Sequence, residues 1–188
     1  MPRIRSLRPN VNRDDATEYF SSGALPNMLR NTFWGPLRSV AELYIPFRLF
    51  RVEIENRSVR QTEFFGVECV TGSMDLFRFD ELPETMVVET RNVVDPGLDE
   101  AQAAEVAISR VRRLLYSRGF FRMRDLHLAA TALPGDVHIP YWVGFRGRGQ
   151  NANFSVLDAV RRRPEGGKMR QIVVNWLLSP GSQPSSAP

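Results

Sequence analysis

The sequence predicts an α+β protein built from two tandem helix-plus-antiparallel-sheet repeats that share a core. Three observations predict it. Stretches of helical spacing give way to stretches of period two, and they do so twice along the chain. The phrase Tyr44-Ile45-Pro46-Phe47 returns as His138-Ile139-Pro140-Tyr141. A second phrase, Gly66-Val67-Glu68-Cys69-Val70-Thr71-Gly72, is answered in the same order by Val156-Leu157-Asp158-Ala159-Val160-Arg161-Arg162.

The elements follow from the pattern. Residues 1–13 are basic and carry Pro2 and Pro9, which reads as a flexible arm. Residues 14–94 form the first repeat. It opens with a helix over 14–33, capped by Asp14 or Asp15 and broken at Gly23 and Pro26. From Tyr44 the period is two: Phe50, Val52 and Ile54 point one way, Arg51, Glu53 and Glu55 the other. A turn at Glu55–Ser58 leads to a strand through Phe64, Phe65 and Val67. Thr71-Gly72-Ser73 turns again before a short strand at Leu76–Phe79, and Met86–Val94 is extended.

Residues 95–178 form the second repeat. Asp95-Pro96 suits a cap and first helical position, and the helix runs from about Asp95 or Leu98 to Arg118. Ala104, Ala107, Ile108, Val111, Leu114 and Leu115 make its apolar stripe, and Gly119 stops it. Leu126, Leu128 and Ala130 alternate with polar or small residues. Val137–Phe145 and Asn153–Val160 read as a hairpin. Met169, Ile172, Val173, Trp176 and Leu177 fall at helical spacing and predict a closing helix. The tail over 179–188 holds only Ser, Pro, Gly, Gln and Ala, too little apolar surface to order it. A proline donates nothing to a ladder, so Pro46 and Pro140 are expected at strand starts or on edges.

The second phrase carries a family resemblance. Val67-Glu68-Cys69-Val70-Thr71-Gly72 and Leu157-Asp158-Ala159-Val160 resemble the Val-Asp-Ala-x-Thr-Gly stretch of PepSY-like modules. In those modules a helix packs on a small antiparallel sheet. The resemblance implies a PepSY-like or cystatin-like tandem arrangement in a bacterial protein, and a binding or peptidase-inhibitory role in a fold that is usually exported. This chain departs from the pattern at Glu68, and at the arginines that stand where Thr-Gly would follow Asp158.

Composition bounds the function. The chain has 188 residues, 43% of them hydrophobic and 24% charged, as in ordinary soluble proteins. Its basic start has no apolar core behind it, and no run is long enough to span a membrane, so a cytoplasmic protein is expected. A single cysteine, Cys69, leaves no intramolecular disulfide and reads as a small buried hydrophobe. His127 and His138 are not at metal-ligand spacing, and no nucleotide, hydrolase or metalloprotease motif occurs. No metal, cofactor or catalytic residue is therefore assigned. Glu68 and Asp158 could form an acid pair across the repeat, but a carboxylate tying down its own following turn is the more economical role.

The net charge is +4, almost all of the positive charge being arginine. Arg146 and Arg148 flank glycines at a hairpin tip, Arg161, Arg162 and Arg163 follow the next strand, and Tyr141 and Trp142 lie between. These seven residues are the candidate binding set. The expected function is a non-enzymatic binding or scaffold protein that engages a peptide or protein partner through a sheet edge or groove. An arginine-dependent binder of nucleic acid or another polyanion is the alternative, and an enzyme using the Glu68/Asp158 region the third.

Overall fold

In a computed structural model of the chain, which describes residues 1–22, 35–56, 59–117, 126–147 and 152–179, the fold is α+β. In chain order the elements are β1 (Arg3–Leu7), α1 (Arg13–Ser22), β2 (Leu37–Asn56), β3 (Val59–Glu68), β4 (Phe77–Phe79) and β5 (Thr85–Glu89). Then come α2 (Glu100–Ser117), β6 (Leu126–Ala132), β7 (Val137–Arg146), β8 (Asn153–Asp158), β9 (Arg163–Pro164) and α3 (Gly167–Leu178). The nine strands found among the described residues join one sheet. The second piece of the first predicted helix, the tip at 57–58, the Gly119 stop and the tail after Ser179 lie outside the described residues.

The sheet is organised around β2. Its first half pairs with β7, with Ile45 opposite Ile139, and its second half lies between β3 and β6. The two prolines are therefore inside the central strands, not at their starts or edges. The outer side of each strand explains how they are tolerated. In a strand the N–H and C=O of one residue point the same way. On the outer side of β2, Tyr44 exchanges hydrogen bonds with Asn92 and Val94, whereas the Pro46 carbonyl accepts from Cys69. The missing Pro46 donor thus falls where β2 changes its outer neighbour. Pro140 sits in the same setting, its carbonyl accepting from Ala159 while β1 meets β7 at His138.

Residues 1–13 are not a flexible arm. Arg3–Leu7 pair antiparallel with β5 and touch β7 at Ser6–His138, and Ser6, Leu7 and Val11 are buried. The basic, proline-bearing composition hid a strand whose order comes from long-range pairing.

Alternation along β2 splits the core. Leu43, Ile45, Phe47 and Leu49 face one side with Ile139, Tyr141 and Val143, and Met169, Ile172, Val173 and Trp176 of α3 pack there. On the other side, Phe50, Val52 and Ile54 meet Ala103, Ala107, Val111 and Leu115 of α2. Val40, Trp142 and Leu157 meet Ala16 and Phe20 of α1 on that same side. α1 therefore packs where β7 and β8 meet the start of β2, and α2 packs on β2, β3 and β6. Gly144 permits the first of these contacts, because a Cβ there would stand 2.7 Å from the Phe20 ring.

The helix starts differ from expectation by a few residues. Asn12 and Asp15 exchange side-chain-to-backbone hydrogen bonds, and Asp99 and Gln102 do the same at α2, two reciprocal capping boxes. Just upstream, the N–H groups of Asn10 and Val11 donate to the Ala159 carbonyl, and those of Gly97 and Leu98 to the Cys69 carbonyl. These bonds lock each helix entry onto its hairpin.

Candidate functional site

The seven candidate residues do not form one surface. Tyr141 is fully buried, and Trp142 is 7% exposed with its indole Nε1 donating to the Val11 carbonyl at 2.9 Å. Burial removes both from any role in stacking on a ligand. They hold β7 to the core and to α1. Arg146 is 5% exposed, and its guanidinium donates to the carbonyls of Phe20 and Gly35. Arg148 lies outside the described residues. Arg162 Nε donates to the Asn10 carbonyl at 3.0 Å. Arg146 is thus employed inside the fold, with one of its carbonyl acceptors at the C-terminal end of α1 and the other just before β2, whereas Arg162 is exposed and bonds the segment ahead of α1.

Tyr141, Arg161 and Arg163 do come together, around Asp158. Tyr141 is opposite Asp158 in the β7–β8 ladder, and Arg163 is opposite it in β8–β9. Asp158 Oδ1 accepts the N–H groups of Val160 and Arg161 at 2.8 and 2.7 Å. Its Oδ2 and the Tyr141 hydroxyl are buried without a hydrogen-bond partner. Desolvation raises the Asp158 pKa above the usual carboxylate range, and the same cause raises those of Glu165 and Tyr141. Arg161 lies over the Phe77 ring, 3.0 Å from its centroid, and donates to the Leu76 carbonyl at 3.2 Å. Burial lowers its pKa, against the pull of Asp158.

Glu68 occupies the matching place opposite Phe47 on β2. Its extra methylene lets it serve more of its loop: both oxygens are used, accepting from the N–H groups of Val70, Thr71, Ser73 and Met74 and from the Thr71 hydroxyl. The two acids lie on the same face of the sheet, but each turns onto its own following loop. That is the economical role expected from sequence.

A cleft of about 270 Å³ opens beside the second loop, between Met74, Asp75, Arg163, Glu165, Gly167 and Lys168. Its charged side chains pair among themselves: Arg163 with Glu165 at 3.4 Å, and Lys168 with Asp75 at 3.3 Å. Among the described residues, no three His, Cys, Asp or Glu side chains stand together as metal ligands. None of the described helices is long and apolar enough to cross a membrane.

The surface that stands out was missed in the sequence. β5 pairs with β1 along one side and, among the described residues, has no strand on the other. Leu82 just before it, and Met86 and Val87 within it, are exposed by 56%, 43% and 64%. Successive side chains of a strand point to opposite faces, so Met86 and Val87 present apolar surface on both sides of the edge. The run Met86–Val94 signals an extended segment, but nothing in it tells an edge strand from a buried one. Comparison with family models, with curated proteins and with solved structures finds no significant match.

Proposed function

We propose that the protein is a non-enzymatic binding module that takes an extended segment of a partner polypeptide as an added strand along β5. The observation that carries this reading is the outer edge of β5, unpaired among the described residues, with Met86 and Val87 exposed on its two faces. An open edge offers a row of N–H and C=O groups to another chain, and apolar side chains on both faces give that chain something to bury. Edges that must stay unpaired are usually blunted by a lysine, a proline or a bulge. The stretch Met86-Val87-Val88 has none of these. The competing polyanion reading loses ground because Arg146, Arg161 and Arg162 are occupied by carbonyls and an aromatic ring.

We also read the chain as two tandem copies of one helix-plus-antiparallel-sheet unit, of PepSY-like or cystatin-like kind. Support comes from contacts that occur in pairs. Ile45 lies opposite Ile139, Phe47 faces Glu68 as Tyr141 faces Asp158, and the Pro46–Cys69 hydrogen bond has its counterpart in Pro140–Ala159.

The test uses the full chain. Ten-residue peptides selected by display are added, and amide hydrogen exchange is followed. Strand addition requires slowed exchange at Thr85–Glu89 on binding, and loss of binding in Val87→Lys. Binding that leaves those amides unchanged, or that survives Val87→Lys, refutes the reading.

A further inference from the structure

We infer that the connector over residues 80–84 is a site for proteolytic processing, and that the two parts of the chain stay joined after the cut. Division there leaves β1, α1, β2, β3 and β4 in the first part and β5, α2, β6, β7, β8, β9 and α3 in the second. The sheet interleaves them. β1 of the first part lies between β7 and β5 of the second, and β2 pairs with both β6 and β7. The helices cross the same boundary. The N–H groups of Asn10 and Val11, just ahead of α1, donate to the Ala159 carbonyl, and those of Gly97 and Leu98, ahead of α2, to the Cys69 carbonyl. α1 packs on Trp142 and Leu157, and α2 on Phe50, Val52 and Phe65. Each core cluster thus draws side chains from both parts, as in an obligate interface that resembles a domain core cut in half.

The connector carries none of these ties. Asp80, Glu81, Leu82 and Glu84 are exposed, Leu82 by 56%. Among the described residues, 80–84 belong to no helix or strand and enter none of the backbone hydrogen bonds that close turns and loops. Exposed chain with unbonded backbone is where proteases cut. Glu81 and Glu84 suit an endoprotease that cuts after glutamate. Water adds across the amide that follows either residue: the carbonyl carbon takes the hydroxyl, the nitrogen takes the hydrogen, and the C–N bond breaks. The carboxylate and ammonium so formed fall on exposed residues, and neither charge has to be buried. Every other glutamate stands in a helix or a strand except Glu165. Its side chain is 10% exposed, and its N–H donates to the Val156 carbonyl.

Limited digestion of the full-length protein with a glutamate-specific protease tests both claims. The first products should be 1–81 or 1–84 and their remainders. Glu81→Gln/Glu84→Gln should slow loss of the intact chain by roughly tenfold or more, since the remaining glutamates are reached only through opening of the fold. The cut protein should elute with the intact chain, keep its far-ultraviolet circular dichroism, and fall into two fragments only in urea. Its unfolding midpoint should rise with protein concentration, because folding has become an association, while that of the intact chain stays constant. Resistance of the native chain, a first cut at another glutamate, or an unslowed variant overturns the site. Fragments that separate without denaturant, or that lose their dichroism, overturn the joining of the two parts.

Discussion

Tyr141 stands directly opposite Asp158 across the β7–β8 ladder, and each is buried with one oxygen lacking a hydrogen-bond partner. Phe47 opposite Glu68 presents no such difficulty, because a phenyl ring has nothing to satisfy and Glu68 uses both oxygens. An unpaired buried polar atom costs about 1–3 kcal/mol, and more when it carries charge. The second loop is thus the weaker of the two.

Asp158→Asn should therefore be at least as stable as the natural protein at neutral pH, since it keeps the Oδ1 acceptor and removes a buried charge. Asp158→Ala, which strands the Val160 and Arg161 N–H groups, should lose about 2 kcal/mol. The pH dependence has a definite sign. The folded-state pKa of Asp158 is raised above its ordinary 3.8, so the folded protein binds the proton more tightly than the unfolded chain. Stability from this group is full below that ordinary value and declines as pH rises through the raised one. The gap between Asp158→Asn and the natural chain should widen in the variant's favour across that window. Urea midpoints measured from pH 3 upward check it; a constant gap counts against a buried, titrating Asp158.

Glu68→Gln should destabilise, the opposite of Asp158→Asn. The amide nitrogen is a donor in a nest of donors, and it would face either the Val70 and Thr71 N–H groups or those of Ser73 and Met74. About 1–3 kcal/mol is expected from urea unfolding. A neutral result would mean that the loop does not depend on the charge.

Arg162 is the one described non-glycine residue with positive φ, at 55°, and in the order of phrases it answers Gly72, whose φ is 65°. A left-handed residue bearing a Cβ costs roughly 1–2 kcal/mol. Arg162→Gly relieves that strain and forfeits only an exposed hydrogen bond to Asn10. It should raise the urea midpoint, by an amount equivalent to about 0.5–1 kcal/mol. A fall would show that the Asn10 contact outweighs the strain.

The hairpins β2–β3 and β7–β8 were legible in the sequence, and the pairing that joins them and the sheet's outer parts were not. Two phrases with proline at the same point place Ile45 and Ile139 on strands of one kind, and these pair with each other. The turn role of Glu68 followed from a carboxylate ahead of Thr-Gly. Three things have no local signal. β1 is ordered by pairing, not by propensity. A helix's apolar stripe does not say which strands it covers, so the packing of α1 on β7 and β8 as well as on β2 was invisible. Exposure of Met86 and Val87 depends on what fails to cover them. Arginines such as Arg146 read as surface charge, yet the carbonyls of Phe20 in the last turn of α1 and of Gly35 before β2 draw this one inward.

Cys69 tests the core around α2. The thiol is fully buried against Ala103, Ala107 and their neighbours, and desolvation pushes its pKa to about 11. The thiolate is the reactive form, so at pH 8 only a small fraction is available even before access is considered. Arg48 lowers the value somewhat but does not offset burial. The native protein should therefore resist a thiol-specific reagent such as an aromatic disulfide, and labelling should proceed at the rate at which the chain opens. Gly97→Ala sharpens the experiment. Its Cβ would collide with the Val70 carbonyl oxygen, disturbing the segment whose N–H groups hold the Cys69 carbonyl. Overpacking of this kind costs about 1–3 kcal/mol, and labelling of Cys69 should accelerate by roughly tenfold or more if opening of the α2 entry governs access. Acceleration no greater than that of an equally destabilising change on the α1 side, such as Gly144→Ala, would mean that Cys69 is exposed only by global unfolding.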